Sequence, residues 1–383
     1  MRILILTGEV SGDQYGAQLV LALKSLNPHI DIWALGGHRM AQAGAHLIAD
    51  LTPYASIGFI EPIKHVGVFM RAYWTVKRWI TTHRPDHIVA IDNQGFNMAL
   101  LKGASRLGIS TSYFVSPQEW QWGTEKGAHH VLSLTDRLYA IFEQEASYYS
   151  RLGGDVMFVG HPLLDTTICT QTREMFCAQY GLDPGARIVS VFPGSREQEL
   201  SLTAPVLIQS AIALQRKDPS IQCAISVSSP IFLDRIRQLA TGLTCVFVSG
   251  NAINLIAHTH LSLVVSGTVT LEHALLKTPC LIGYRFNPLS FWVAQRLLKE
   301  RLARIPFMGL PNLLANREIF PEFFQQKCCV ENIYQKAWGY LCDEEAYQIF
   351  KKDVASFAVQ LGEPGVFNRV AFDILSTLRK ASS

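Results

Sequence analysis

The sequence carries little net charge: 34 Lys and Arg against 31 Asp and Glu leave +3 over 383 residues. That is too small a surplus to argue for nucleic acid as a partner, so any basic patch has to be local. The eight cysteines, Cys169, Cys177, Cys223, Cys245, Cys280, Cys328, Cys329 and Cys342, include no C-x-x-C pair, and none stands near a His at zinc-ligand spacing. They read as buried thiols of a reducing cytoplasm rather than as a disulfide framework or metal site. No window reaches the roughly eighteen consecutive apolar residues of a membrane span. The apolar run from Ile3 to Leu6 behind Arg2 is too short for the core of a signal peptide. There is no short-period repeat and no low-complexity tract. No G-x-G-x-x-G follows a strand-like run and no G-x-x-x-x-G-K-[ST] occurs, which makes a dehydrogenase or a P-loop enzyme a poor fit.

What is present is ordinary for a soluble globular protein, with 49% apolar and 17% charged residues, and it excludes disorder. The length exceeds what one core usually fills, which suggests two domains. Short β-rich runs alternate with helical patterns from the start: "ILILTG", "IDIWALGG", "DHIVAID", "STSYFVS", "RLYAIF" and "DVMFVGHP". The pattern restarts after "REMFCAQYGLDPGAR", a helix with a turn-rich exit, as "RIVSVFPGS", "IQCAISVS", "LTCVFVSG", "LSLVVSG" and "PCLIGY". Such alternation predicts an α/β protein with two consecutive doubly wound parallel sheets, the junction falling between Leu163 and Gly185. We expect domains at about 1–165 and 180–345. From Val330 the pattern is wholly helical, and the last helices, about 350–383, are available to pack back on the first domain.

In doubly wound sheets ligands bind beyond the carboxyl ends of the strands, so the strand-end loops are where chemistry is sought. "GEVSGD", residues 8–13, offers Glu9 and Ser11 to a ligand and Asp13 as a cap for the helix that follows. "DHIVAIDNQGFN" ends a strand on Asp92, a candidate general base whose alternative is a structural Asx-turn. "SPQEWQW" brings Trp120 and Trp122 to the same rim, to stack on a sugar or to fill the core. "FPGSREQEL" opens a helix with Gly194, Ser195 and Arg196, either a phosphate cradle with a bidentate guanidinium or an ordinary cap with a surface Arg. "VVSGTVTLEHAL" repeats the design with Ser266, Gly267, Thr268 and Thr270. Its Glu272 is placed to accept ribose hydroxyls or merely to sit favourably near a helix start. Two anion-friendly helix starts in one domain suit a nucleoside diphosphate. Residues 57–80, "IGFIEPIKHVGVFMRAYWTVKRWI", put Phe69, Tyr73, Val76 and Ile80 at helical spacing, with Arg71, Trp74, Lys77 and Arg78 beside them. That pattern fits an interfacial helix or an amphipathic helix packed on a sheet. "FNPLSFWVAQRLLKERLARIPFM", with Phe291, Trp292 and Leu298, is a second candidate of the same kind.

In this order, "GEVSGD", "IDNQGFN", "YFVSPQEWQW", "FVGHPL", "FPGSREQE", "SGTVTLE" and "LPNLLA" resemble the lipid-A-disaccharide synthase family over nearly the whole chain, Met1 to about Leu361. The resemblance implies a GT-B glycosyltransferase: two Rossmann-like domains facing a central cleft, with a helical C-terminus. It implies an inverting transfer of 2,3-diacylglucosamine from its UDP derivative to 2,3-diacylglucosamine 1-phosphate. The products are β(1→6)-linked lipid A disaccharide 1-phosphate and UDP, formed without cofactor or metal. It further implies a peripheral enzyme on the cytoplasmic face of the inner membrane of a Gram-negative cell, with a homodimer allowed.

By position, Asp92 matches the family's general base and Arg196 its donor-phosphate arginine. Glu272 matches the ribose holder, Asn312 another donor-site residue, and Glu9 and Ser11 the donor-facing loop. Phe69, Arg71, Trp74, Lys77 and Arg78 are the expected acceptor- and membrane-facing residues. The sequence departs from the family where D-x-P-D/G-F-N gives way to Asn93-Gln94, where Gln118 and Glu119 replace smaller or apolar residues, and where Val269 replaces Ala. Loss of the proline leaves the base loop less rigid. Two rivals share much of this pattern: a UDP-N-acetylhexosamine epimerase of GT-B fold and a non-catalytic nucleotide-sugar-binding protein.

Overall fold

The computed structural model describes residues 1–55, 66–121, 123–287, 296 and 307–382. It divides into two compact units, Met1–Asp165 with Leu361–Ser383, and Thr166–Gln360.

The first unit is built on a parallel sheet in the order β3-β2-β1-β4-β5-β6-β7. Its strands are β1 (Arg2–Leu6), β2 (Asp31–Leu35), β3 (His46–Ala49), β4 (His87–Ile91), β5 (Ser110–Phe114), β6 (Arg137–Ala140) and β7 (Val156–Phe158). β1 pairs with both β2 and β4, so the winding reverses there and the loops after β1 and β4 straddle the switch point. β4 is buried along its whole length, as its apolar run requires in a sheet covered on both faces. Its one polar residue, His87, bonds the hydroxyls of Ser110 and Ser112 at 3.0 and 2.8 Å. Burial pushes that imidazole down to about 4, which keeps it neutral. β3 is absent from the sequence reading: "HLIA" is a short, half-buried edge strand with no alternation to mark it.

The first helix runs Val10–Leu26, three residues earlier than "GEVSGD" read as a loop would allow. Asp13 therefore lies inside that helix rather than capping it. Its buried carboxylate accepts from the amides of Gly37 (2.7 Å), Arg39 (3.1 Å) and Met40 (3.2 Å), capping the short helix His38–Gln42. A β-carbon on Gly37 would run into that carboxylate, which explains the glycine.

The helix Val66–His83 corrects the expected apolar stripe. Val76 and Ile80 are core residues, and Phe69 and Tyr73 pack edge-on against Phe96 at 6.3 and 6.2 Å. The stripe turned to solvent is Val66, Met70 and Trp74, spaced four apart and 52%, 48% and 55% exposed. The segment 57–65 lies outside the described residues, as do Phe291, Trp292 and Leu298. No helix among the described residues is long and apolar enough to cross a membrane.

The C-terminal helix Val366–Ser382 returns to this unit. Asp165 accepts from the amides of Gly365 and Phe367 at its start. Phe367 packs on Phe114 at 5.9 Å and on Tyr15 at 6.3 Å, and Asp373 bonds Arg137 and Tyr139.

The second unit holds a parallel sheet in the order β10-β9-β8-β11-β12-β13. These strands are β8 (Ile188–Phe192), β9 (Gln222–Val227), β10 (Cys245–Ser249), β11 (Leu261–Val265), β12 (Cys280–Tyr284) and β13 (Glu322–Phe324). β13, three residues long, is a second edge strand that the sequence pattern does not reveal. β8 pairs with both β9 and β11, so the loops after β8 and β11 flank this sheet's switch point. The helix Glu344–Ala358 belongs here, with Phe350 edge-on to Phe320 at 6.0 Å and the Tyr347 hydroxyl donating to His260 O at 2.8 Å.

Candidate active-site loops

In the first unit the loop after β4 is conformationally unusual. Asp92 and Asn93 are consecutive left-handed residues, at φ 51° and 44°, and Val115, just after the neighbouring strand β5, stands at φ 58°. Asp and Asn tolerate that region, whereas a β-branched residue there is an outlier. Each such residue costs on the order of 1–3 kcal/mol and persists only where its surroundings hold it. The surroundings are specific. The Asp92 carbonyl accepts from the Tyr113 hydroxyl at 2.6 Å and from Asn97 Nδ2 at 2.8 Å, and the Asp92 amide donates to Phe114 O at 3.2 Å. The Asn93 side chain lies where a β-carbon on Gly8 would be, tying the loop after β1 to the loop after β4.

The Asp92 carboxylate accepts from the amide of Asn93 at 2.8 Å. Burial raises its proton affinity and that hydrogen bond partly offsets the effect. This combines the Asx-like contact of one reading with the raised basicity of the other. Glu9 sits at the N-cap of Val10–Leu26 without capping it through its side chain, and Glu9, Val10 and Ser11 are exposed.

The next loop is pinned from below. The Ser116 hydroxyl and the amides of Ile141 and Phe142 donate to the buried Glu145, whose carboxyl is pushed up to about 7 by burial, and the Tyr149 hydroxyl donates to Pro117 O at 2.7 Å. Trp120 packs 5.9 Å from Phe142, while Trp122 lies outside the described residues. Two departures from the family pattern meet here: Gln94 Nε2 donates to Glu119 Oε1 at 2.8 Å.

In the second unit the loop after β8 turns on Gly194, at φ 111°. A β-carbon there would overlap Glu199. Glu199 is buried and accepts from the amides of Ser195 (2.8 Å) and Arg196 (3.2 Å). This corrects one part of the phosphate-cradle reading and agrees with part of its alternative, a cap beside a surface Arg: the protein's own carboxylate occupies those two amides. Available to an anion is the Arg196 guanidinium, 73% exposed and touching Glu199 only at 3.4 Å, with Ser195 exposed beside it.

After β11, the Ser266 hydroxyl donates to Met308 O at 3.0 Å, and Thr270 folds back on Gly267 O at 2.8 Å. Glu272, in the first turn of Val269–Leu275, has its carboxyl pushed up to about 7 by burial alone. Among the described residues that carboxylate makes no hydrogen bond or ion pair, so a ligand hydroxyl would find it uncommitted. Beside it His273 is buried and held neutral, its Nδ1 on Val269 O at 2.7 Å.

Asn312 is the second correction. Its Nδ2 donates to Phe320 O (2.8 Å) and Glu322 Oε2 (3.0 Å), and its Oδ1 accepts from the amides of Ile319 and Phe320, both at 2.8 Å. With no exposed surface and its hydrogen-bonding capacity used, it shapes the 308–322 loop rather than touching a ligand.

Sequence reasoning did not single out the residues that hold Asp92: Asn97 closes the motif "IDNQGFN" and Tyr113 opens "YFVSPQEWQW", but only the fold brings them to its carbonyl. On the helix Val66–His83, Arg71 and Arg78 are exposed beside Trp74, and the Lys77 ammonium sits 4.8 Å over the Trp74 ring.

The comparisons with known proteins separate fold from family. Among solved structures, the UDP-GlcNAc 2-epimerase of Neisseria meningitidis bound to UDP-GlcNAc aligns over 99% of this chain and 100% of its own, at TM-score 0.66 and 12% identity. Sucrose-phosphate synthase of Thermosynechococcus elongatus aligns over 100% of both, at TM-score 0.56 and 14% identity. At such identities they show the GT-B fold alone. Among curated proteins, the lipid-A-disaccharide synthase of Geobacter sulfurreducens is 35% identical over 381 residues, 99% of this chain and 98% of that protein. That of Syntrophotalea carbinolica is 36% identical over 373 residues, 97% and 94% of the two chains. Because the model described as lipid-A-disaccharide synthetase also matches residues 3–371, loops after both switch points included, the chain belongs to the lipid-A-disaccharide synthetase family.

Proposed function

We propose that this chain makes the lipid A disaccharide, transferring 2,3-diacylglucosamine from UDP-2,3-diacylglucosamine to the 6-hydroxyl of 2,3-diacylglucosamine 1-phosphate. The family match across residues 3–371 carries this reading. The acceptor O6 attacks the anomeric carbon from the face opposite the diphosphate, the C1–O bond to UDP breaks, and the 6-hydroxyl proton passes to Asp92. The strained, tightly held position of Asp92 and its raised proton affinity support its role as that base. The exposed Arg196 guanidinium supports a role on the departing diphosphate, and the uncommitted Glu272 carboxylate a role on the ribose hydroxyls.

The epimerase reading is not favoured, since epimerases resemble this chain in fold alone while its relatives at about a third identity are synthases. The deciding assay supplies UDP-diacylglucosamine and the monosaccharide phosphate and scores a disaccharide by mass. UDP-sugar converted without lipid acceptor would sink the transferase reading.

Both substrates carry acyl chains, so the enzyme meets a bilayer surface. The exposed Val66, Met70 and Trp74 stripe with Arg71, Lys77 and Arg78 beside it supports that contact. M70E/W74E should release the protein from anionic vesicles in a flotation assay. Unchanged flotation would move the contact elsewhere.

A further inference from the structure

The loop after β4 holds two left-handed residues in succession, and its neighbour after β5 holds a third, Val115. Strain of this kind relaxes unless something opposes it. Tyr113 and Asn97 grip the Asp92 carbonyl from the buried side. On the outer side the tie is the hydrogen bond from Gln94 Nε2 to Glu119 Oε1, 2.8 Å long, which joins the first helical residue after Asn93 to the loop after β5.

Glu119 is itself fixed. Its other oxygen accepts from the amide of Thr124 at 2.9 Å, and its carboxylate fills space that a β-carbon on Gly123 or Gly127 would occupy. Thr124 in turn caps the helix Glu125–Leu132 by accepting from Gly127 N. The outer tie on the Asp92 loop is thus anchored to a helix start, and each member of the chain of contacts is a specific donor or acceptor.

We propose that Glu119 is a positioning residue for the transfer, acting through Gln94 to hold the Asp92–Asn93 pair in its left-handed geometry. The inference rests on Asp92 being the base. Loosening the tie leaves the base present but lets it wander from the acceptor hydroxyl. A misplacement near 1 Å costs a catalytic group on the order of a hundredfold, so a partial loosening should cost about tenfold. The loss should fall on kcat, with the KM for the UDP donor unchanged, because neither residue is assigned to the donor.

The test is a double-mutant cycle on the disaccharide assay with E119A, Q94A and the pair, plus E119Q and D92N, each with its thermal midpoint. The expected result is an equal kcat loss in E119A and Q94A, no further loss in the double variant, and partial recovery in E119Q, whose one amide oxygen still accepts from Gln94 while its NH2 cannot accept from Thr124 N. Additive losses, a silent Q94A beside an impaired E119A, or a loss borne by donor KM would each overturn the proposal. A fall in thermal midpoint matching the lost activity, without recovery in E119Q, would do the same. D92N separates the two claims. If it stays active the base assignment fails, whereas if D92N is dead and E119A and Q94A are normal, only the positioning role fails.

Discussion

At the carboxyl ends of β4 and β5 the first unit places Asp92, Asn93 and Val115 at φ 51°, 44° and 58°. At the ends of β8 and β11 in the second unit, the left-handed residue among those described is Gly194, where the conformation costs nothing steric. The second unit concentrates instead on charge. Glu199 takes up the amides of its phosphate-like turn, Arg196 stands exposed beside it, and Glu272 is left half-buried with, among the described residues, no side-chain partner. Two sheets with the same winding thus equip their switch points differently: one fixes where a single carboxylate points, the other presents an exposed guanidinium and a half-buried carboxyl for a ligand to complete. The division suits the proposed chemistry. A base must be aimed within tenths of an ångström, whereas a diphosphate and a ribose are gripped by complementary charge and hydrogen bonds.

The comparison breaks most visibly at Asp92. Asp92→Asn keeps the shape and the αL tolerance but removes the base, and kcat should fall by about 10²–10⁴ with donor KM little changed. An active variant would mean that the strain serves the backbone alone. Arg196→Ala should cost about 10²–10³ in kcat, the scale of losing one donor to developing charge. Its thermal midpoint should move little, because the Arg196 end of the 3.4 Å pair is exposed and the buried Glu199 keeps the amides of Ser195 and residue 196 when the side chain is cut. A variant that loses only donor KM would show that Arg196 binds ground state and transition state alike, and the contrast between the units would then be one of binding alone.

How much of this was legible beforehand follows from the range of the interactions. The two parallel sheets, their interior strands and the strand-end loops could be read because buried strands and helix starts leave local patterns. The edge strands His46–Ala49 and Glu322–Phe324 could not, since half-buried runs of four and three residues carry no periodicity; the equally short edge strand Val156–Phe158 could be read only as part of the longer apolar run "DVMFVGHP". Motif matching picked out Asp92, Arg196 and Glu272, but it could not see that Asn312 spends every polar atom internally or that Glu199 occupies the amides offered to phosphate. Those facts depend on where a side chain folds, which spacing does not fix. Asp13 illustrates the same limit, since it caps a helix more than twenty residues away rather than its own. Conversely, Gln94 and Glu119 stood out one at a time as departures, and only the fold shows that they bond to each other.

A smaller effect sharpens the second unit's side of the comparison. With its carboxyl pushed up to about 7 by burial, Glu272 is largely protonated at pH 6 and largely ionised at pH 8. Ribose hydroxyls that donate to it favour the ionised form, so its affinity for protons falls in the UDP complex. UDP binding should therefore tighten as pH rises through 7, by roughly tenfold between pH 6 and 8 where the bound carboxyl stays ionised throughout. In Glu272→Gln that contribution should vanish, leaving only the dependence due to UDP's own terminal phosphate, whose second pKa is about 6, and calorimetric titration of both proteins at the two pH values reads the difference. A wild-type Kd no more pH-dependent than the variant's would remove Glu272 from the ribose.

The least effect is expected where the first unit's strain is relieved without touching a proposed reacting group. Val115→Gly replaces a β-branched residue at φ 58° with the one residue indifferent to that region, relieving about 1–2 kcal/mol. Against this stand roughly 0.5–1 kcal/mol of added chain freedom and the loss of a half-buried side chain, so stability should stay within about 1 kcal/mol of the parent. Catalysis should hardly move, because the ties on the adjoining residues, Ser116 to Glu145 and Tyr149 to Pro117 O, do not involve the Val115 side chain. Denaturant unfolding beside the disaccharide assay reads both. A loss of several kcal/mol would show that Val115 is kept for its packing, and the account of the first unit as a strained, externally held frame would shrink to Asp92 and Asn93.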